Sequence, residues 1–227
     1  CVHRIVCECE LNSKECHALC LPFLAPKQLW TKDITKGLEP FLETATKRSD
    51  DGGELPDLTQ FQARIQQYKE MEKVVQALPA QTFVGWLKVD SQPIKKALLA
   101  WVNKWADAHT SHLEDFIKSE LENLLAFIEQ VNDGLSTEVP EDDAAELIAA
   151  MTHVRNVRIN EKKIDGLFGP LQDTIRLLKK FGIFMPDDVL ESLEQAPFEW
   201  ENTKKIQLNA REMLGPLQSL QQEATGK

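Results

Sequence analysis

No apolar run in this 227-residue sequence approaches the roughly 20 residues needed to cross a bilayer, and the residues after Cys1 have neither the basic start nor the apolar stretch of a secretory signal. Positive charge is also short, with 26 Lys and Arg against 36 Asp and Glu and a formal net charge of -10. That balance opposes a general binder of nucleic acid or anionic membrane, since both need a basic field; the acidic microtubule surface is a poor direct partner on the same ground. Ten Gly and eleven Pro are too few for low complexity and serve as punctuation. An apolar fraction of 42% excludes wholesale disorder. The reading is a cytosolic chain of one or two domains.

Catalytic signatures are missing as well. The phosphate-binding GxxxxGK[ST] does not occur, and neither Gly52-Gly53 nor Gly166-x-x-Gly169 leads into it, so ATP hydrolysis is not assigned to this stretch. G-x-S-x-G and H-E-x-x-H are absent. The acidic stretches Glu138 to Asp143 and Asp187-Asp188 lack the alternating oxygen ligands and central glycine of a calcium loop, and read as helix N-terminal charges. The pairs Lys162-Lys163, Lys179-Lys180 and Lys204-Lys205 are too scattered for a nucleic-acid groove.

Beyond residue 20 there is no cysteine: Cys1, Cys7, Cys9, Cys16 and Cys20 crowd the start, with His3 and His17 among them. Structural zinc sites pair ligands as C-x₂₋₄-C, a spacing that Cys16 and Cys20 satisfy, so Cys16, Cys20 and His17 are the weak metal candidates. Cys7 and Cys9 share one face of a strand and read as small apolar side chains. Reduced, structural thiols are the favoured reading, with a metal site or a disulfide as the alternatives, and no cofactor is expected. A Cys16-His17 catalytic pair is disfavoured, because adjacent residues rarely face each other and nothing marks an orienting third group.

What is present is mostly helical periodicity. Residues 2–10 and 17–24 read as a small β-hairpin, with Pro22 confining the second strand to an edge. Ile34, Leu38, Phe41, Leu42 and Ala45 then recur at helical spacing, with Pro40 a candidate kink. The glycines and acids of 49–57 mark a linker. A helix from about Pro56 to Leu78 places Leu58, Phe61, Ile65, Tyr68, Met71, Val74, Val75 and Leu78 on one face. Residues 82–90 alternate as an extended connector packed on both sides.

A helix capped by Ser91 carries an apolar stripe from Ile94 to Val131, ending at Gly134; forty residues at about 1.5 Å each make a rod of roughly 60 Å. Another opens at 141–146 and stops at Phe181-Gly182, with Gly169-Pro170 a possible bend. The last section starts at Pro186 and restarts near Pro197. No repeat period emerges.

On the long helix, His109 and His112 have ligand-compatible spacing, but the favoured reading puts His109 in the core stripe and His112 toward solvent beside Thr110, Ser111 and Glu114. Trp101 and Trp105, one turn apart, form a large anchor whose first reading is core packing and whose second is a partner interface. With Trp200 they are the interaction candidates.

Taken in order, these stretches resemble the stem of dynein heavy chains, particularly axonemal ones. FQARIQQYKEMEKVVQALP at 61–79 and VGWLKVDSQPIKKALLAWVNKW at 84–105 look like the family's helix, extended segment and long helix. LFGPLQDTIRLLKKFGIFMPDDVLESLEQAPFEWENTKKI at 167–206 is similar to the elements leading toward the motor's linker. The resemblance covers about 61–220. It implies a non-catalytic tail segment just N-terminal to the linker, serving assembly and mechanical coupling in the ciliary axoneme. Implied partners are other heavy chains, intermediate and light chains and, indirectly, a doublet microtubule; the ATP-hydrolysing ring of the parent chain lies elsewhere. A spectrin-like or vinculin-like helical adaptor is the alternative, and a small zinc-binding protein the less favoured one.

The expected fold is mainly α: elongated bundles of long amphipathic helices preceded by a small β-hairpin. The expected division is 1–48 as hairpin plus first helix, 49–57 as linker, 58–181 as long-helix bundle and 182–227 as neck helices.

Overall fold

The computed structural model describes residues 31, 33–48, 54–85, 87–136, 140 and 143–225. The fold is mainly α, with five helices among the described residues. The hairpin expected within 2–24 lies outside them, as does most of the linker; of the linker's residues, 54–56 form a short strand and Asp57 caps a helix. The described residues fall into two compact units, one ending its first segment at Lys47 and resuming over Pro56–His112, the other built from Arg48–Leu55 and Leu113 onward.

In the first unit, α1 (Ile34–Ala45) begins where the Asp33 carboxylate accepts from the Thr35 N–H at 2.9 Å, satisfying an orphan donor of the first turn. The helix runs through Pro40. It leads into β1 (Thr46–Arg48), which pairs with β2 (Glu54–Pro56). α2 (Leu58–Ala77) follows at once, so Pro56 closes a strand instead of opening the helix, and Asp57 is the cap. The Asp57 N–H donates to the Ala45 carbonyl at 2.6 Å, and Gln60 Nε2 donates to the Thr44 carbonyl at 3.1 Å, which ties the start of α2 to the end of α1.

Phe61, Ile65, Tyr68 and Val75 of α2 are buried as expected, but Val74 is 64% exposed. At 100° per residue Val74 lies about 140° from Phe61 around the helix, outside the stripe.

Residues 82–90 are not a single extended connector. They form a hairpin of β3 (Gln81–Val84) and β4 (Leu87–Asp90), with Gln81 opposite Asp90 and Val84 opposite Leu87. Between the strands, Gly85 has φ 58°, a left-handed conformation that glycine adopts without a Cβ penalty. An alternating strand pattern is common to both readings; the glycine at its centre is what distinguishes them.

α3 (Gln92–Ser136) follows, its first half in this unit. Ser91 stands at its start but does not cap it: the hydroxyl donates backward to the Pro79 carbonyl at 2.9 Å, and the Gln92 N–H is taken by Asp90 Oδ1 at 3.0 Å. Lys95 Nζ donates to the carbonyls of Gln76 at 2.6 Å and Leu78 at 2.7 Å, placing a cation on the negative C-terminus of α2. Ile94, on the expected stripe, is 45% exposed; α2 has already ended at this level.

The second unit contains the rest of α3, α4 (Ala144–Lys180) and α5 (Asp187–Thr225). Asp143 caps α4 by accepting from the Ala145 N–H at 2.9 Å and the Glu146 N–H at 3.2 Å. The helix stops where Gly182, at φ 83°, donates to the Lys179 carbonyl while the Ile183 N–H reaches the Leu178 carbonyl, the double bond of a Schellman cap. α5 then returns antiparallel along α4: Trp200 meets Asp165, and Leu214 packs with Leu147, Ala150 and Val154.

The expected restart of α5 near Pro197 is not observed: α5 continues through that proline, as α4 continues through Pro170 to the end expected at Phe181-Gly182. An interior proline forfeits one backbone bond and disfavours a helix by about 3 kcal/mol. Around Pro197 the buried stripe of Leu193, Ala196 and Trp200 offsets that loss by packing.

Candidate functional site

In the first unit, three helices converge on His109, which is 2% exposed. Phe41 from α1 packs against its ring with centroids 4.9 Å apart, and Phe61 and Tyr68 from α2 lie at 6.4 Å and 5.4 Å. Its Nδ1 lies 2.7 Å from the Trp105 carbonyl one turn earlier. A carbonyl can only accept, so this nitrogen carries the proton in the neutral ring. Burial pushes the imidazole below its ordinary pKa, partly countered by that bond, with Arg64 and His112 adding to the depression. A core histidine in an aromatic cage results. Its neighbours are rings and a guanidinium, and metal binding needs a different donor set.

His112 departs from the solvent-facing position expected of it. It is half-buried and stacks on Phe61 with centroids 5.9 Å apart and planes 3° from parallel. Thr110, expected beside it in solvent, is buried at 4% exposure, its hydroxyl donating to the Asp107 carbonyl. α1 and α2 together cover a wider arc of α3 than one stripe implies.

The three candidate tryptophans occupy different settings. Trp105 is buried with Tyr68, Val102 and Ala106, against Gly37 of α1; a Cβ at that glycine would meet the indole ring. Trp101 is half-buried at the edge of this cluster, with Lys104 Nζ 5.1 Å from its ring centroid. Trp200, 1% exposed, belongs to the second unit, where its Nε1 donates to Asp165 Oδ1 at 2.8 Å and its ring tilts against Phe127 at 6.3 Å. Lys204 completes this group, 3.3 Å from Asp165 and 5.9 Å from the Trp200 ring. Cys16, Cys20 and His17 lie outside the described residues. Among the described residues no group of three or more His, Cys, Asp or Glu side chains is placed to hold a metal ion.

The sequence reading did not anticipate an open cleft of about 520 Å³ between α1 and α2, lined by Asp33, Lys36, Gly37, Pro40, Phe41, Thr44 and Arg64. Arg64 lies 5.5 Å from the Phe41 centroid and donates to Gln67 at 3.2 Å; the Thr44 hydroxyl donates to the Phe41 carbonyl at 2.9 Å. The cleft has mixed charge, with Asp33 set against Lys36 and Arg64 in its lining. Asp57, at the other end of α1, is held below the usual carboxylate range chiefly by the hydrogen bond from Lys47, 3.1 Å away. Among the described residues no helix is long and apolar enough to cross a membrane.

No protein-family model matches the chain. Individual relatives do match. Human dynein axonemal heavy chain 9 is 34% identical over 165 residues, covering 72% of this chain. Dynein axonemal heavy chain 11 of Sus scrofa is 33% identical over 202 residues, or 84% of the chain. The dynein beta chain of the flagellar outer arm of Chlamydomonas reinhardtii is 29% identical over 242 aligned residues, or 91%. The chain spans only 4% to 5% of the length of these relatives. Their agreement along most of this sequence shows that the chain is a dynein heavy-chain segment and belongs to the axonemal dynein heavy chain family.

Proposed function

We propose that this segment is a non-catalytic part of the heavy-chain tail, just N-terminal to the linker, where it serves assembly and mechanical coupling of an ATP-driven motor in the axoneme. The observation that carries the reading is the similarity to heavy chains along 72% to 91% of this chain, which the structure builds mainly from packed helices. Their fastenings suit a part that bears load. Trp200 and Lys204 bind α5 to Asp165 of α4, Lys95 ties α3 to the end of α2, and the cap at Gly182 fixes where α4 stops. Packed cores of this kind transmit strain with little compression. Partners in this reading are other heavy chains, intermediate and light chains and, through the complex, a doublet microtubule. The half-buried Trp101 ring is the tryptophan best placed to join such a contact.

Antibodies against peptides 61–79 and 186–206, applied to ciliary and whole-cell extracts, test the reading. A band far above 25.8 kDa, enriched in cilia and released together with axonemal dyneins, is expected. A native polypeptide near 25.8 kDa outside cilia would overturn it in favour of an independent helical adaptor. Placement next to the linker is tested by cross-linking mass spectrometry of the released dynein. Cross-links from Lys204 and Lys205 to linker residues support it, whereas cross-links confined to the ring or stalk refute it.

A further inference from the structure

The face of α4 turned away from its core carries charge of the sign that the rest of the chain lacks. Between residues 155 and 163 stand four basic residues, Arg155, Arg158, Lys162 and Lys163, against one acid, Glu161, in a chain whose net charge is -10. All five side chains are exposed. Among the described residues none of the four cations has an ion-pair partner, unlike Lys204 and Arg176 elsewhere in the same unit.

The same face presents two apolar side chains, Ile148 at 66% and Ile159 at 61% exposure. At 100° per residue their eleven-residue separation returns to nearly the same direction, three turns or about 16 Å apart. Arg155 and Lys162 fall within about 40° of Ile148, Lys163 flanks on one side and Arg158 on the other, so the set occupies an arc of about 140°. Glu161 points elsewhere. Opposite this arc lie Ala150, Val154, Val157 and Ile164, all buried. The outer face is therefore amphipathic in its own right: an apolar line with Arg155, Arg158 and Lys162 along one side and Lys163 on the other.

We propose that this face of α4 docks an acidic amphipathic helix of a partner protein, whose apolar side chains meet Ile148 and Ile159 and whose carboxylates pair with Arg155, Arg158, Lys162 and Lys163. Charge complementarity selects this occupant. A polyphosphate offers no apolar group to Ile148 and Ile159, and an anionic bilayer extends past the basic strip onto the acidic remainder of the chain, whereas an amphipathic helix meets both the apolar line and the cations. The contact is independent of where in the heavy chain the segment lies.

The probe is a fluorescein-labelled acidic helical peptide of about 20 residues, with Leu eleven positions apart and Glu flanking them, titrated with the full 227-residue chain by fluorescence anisotropy. Arg155→Glu/Lys162→Glu is expected to weaken binding by about tenfold or more, and Ile148→Ser/Ile159→Ser by severalfold. Raising salt should weaken the wild-type complex and have less effect on what the charge-reversed chain retains. These positions are exposed, so circular dichroism of both variants should match the parent. A probe that fails to bind, or binds the charge-reversed chain equally well, overturns the proposal. So does equal binding of a scrambled peptide of the same composition, or stronger competition by heparin or phosphatidylserine vesicles, since those results describe a generic polyanion site.

Discussion

Replacing Trp200 probes the junction of α3, α4 and α5. The indole is 1% exposed, packs on Phe127 of α3 and donates its N–H to Asp165 of α4. Trp200→Ala removes the largest fully buried side chain among the described residues and leaves a cavity, for which burial and cavity terms together give about 3–5 kcal/mol of lost stability. Trp200→Phe keeps most of the ring and deletes the donor. A hydrogen bond to a carboxylate contributes about 1.5–3 kcal/mol, but the Asp165 side chain is 47% exposed, so water recovers much of it and about 1–2 kcal/mol is expected. A double-mutant cycle with Asp165→Ala should return a coupling of about 0.5–1.5 kcal/mol. Urea unfolding followed by circular dichroism gives the free energies. Amide exchange over 154–178 and 190–214 should show the loss in the second unit and leave 58–77 unaffected. If Trp200→Phe matches the parent within about 0.3 kcal/mol and the two substitutions are additive, the indole–carboxylate bond contributes nothing in solution. If Trp200→Ala costs under about 1 kcal/mol, the packing argument fails as well.

Gly37→Ala should destabilise the first unit by about 1–3 kcal/mol despite the better helix propensity of alanine, because its Cβ strikes the buried Trp105 ring; Gly166→Ala, with open space around the same added atom, should stabilise by up to about 1 kcal/mol. Thermal denaturation separates the two signs. Lys95→Met strips two carbonyls at the end of α2 of a charged donor and should cost about 1–3 kcal/mol, read as faster amide exchange near Leu78. His109 has a folded pKa below that of the unfolded chain, so the unfolded state takes up the proton first on acidification. Its contribution is therefore intact above about pH 6.5 and is lost as pH falls below that, with a slope that cannot exceed about 1.4 kcal/mol per pH unit. Urea midpoints of the parent and His109→Phe between pH 7.5 and 5.5 should diverge accordingly; parallel profiles would contradict the buried neutral imidazole.

What was legible in the sequence follows the physics of each element. The helices from Leu58 to Lys180 were readable because packing against a neighbour leaves a period of 3.6 in the apolar residues, and His109, Leu113 and Ile117 keep that period and are buried. Phe181-Gly182 was readable because a left-handed cap favours one residue type. Proline misled at one place. Pro197 forfeits one helix bond, a local loss that sequence shows plainly, while the compensation comes from burying Leu193, Ala196 and Trp200 of the same helix, a packing that sequence does not show.

The same asymmetry governs the sites. A stripe tells which side of a helix is covered, but the width of the cover depends on how many helices share it. With α1 and α2 both on α3, the covered arc widens until His112 and Thr110 fall inside it, and a residue expected in water stacks on Phe61 instead. Conversely, Val74 and Ile94 were assigned to cover that ends before it reaches them. Long-range polar partners are harder still. Asp165 and Trp200 are separated by 35 residues, and nothing in the vicinity of either distinguishes a carboxylate that receives an indole N–H from one that faces solvent. The basic arc on α4 is the inverse case. Of its cations only Lys162-Lys163 stood out, as one of several scattered pairs, and the meaning of the set depended on knowing that Ala150, Val154 and Val157 face inward, because only a fixed inner face makes Ile148 and Ile159 an outer one.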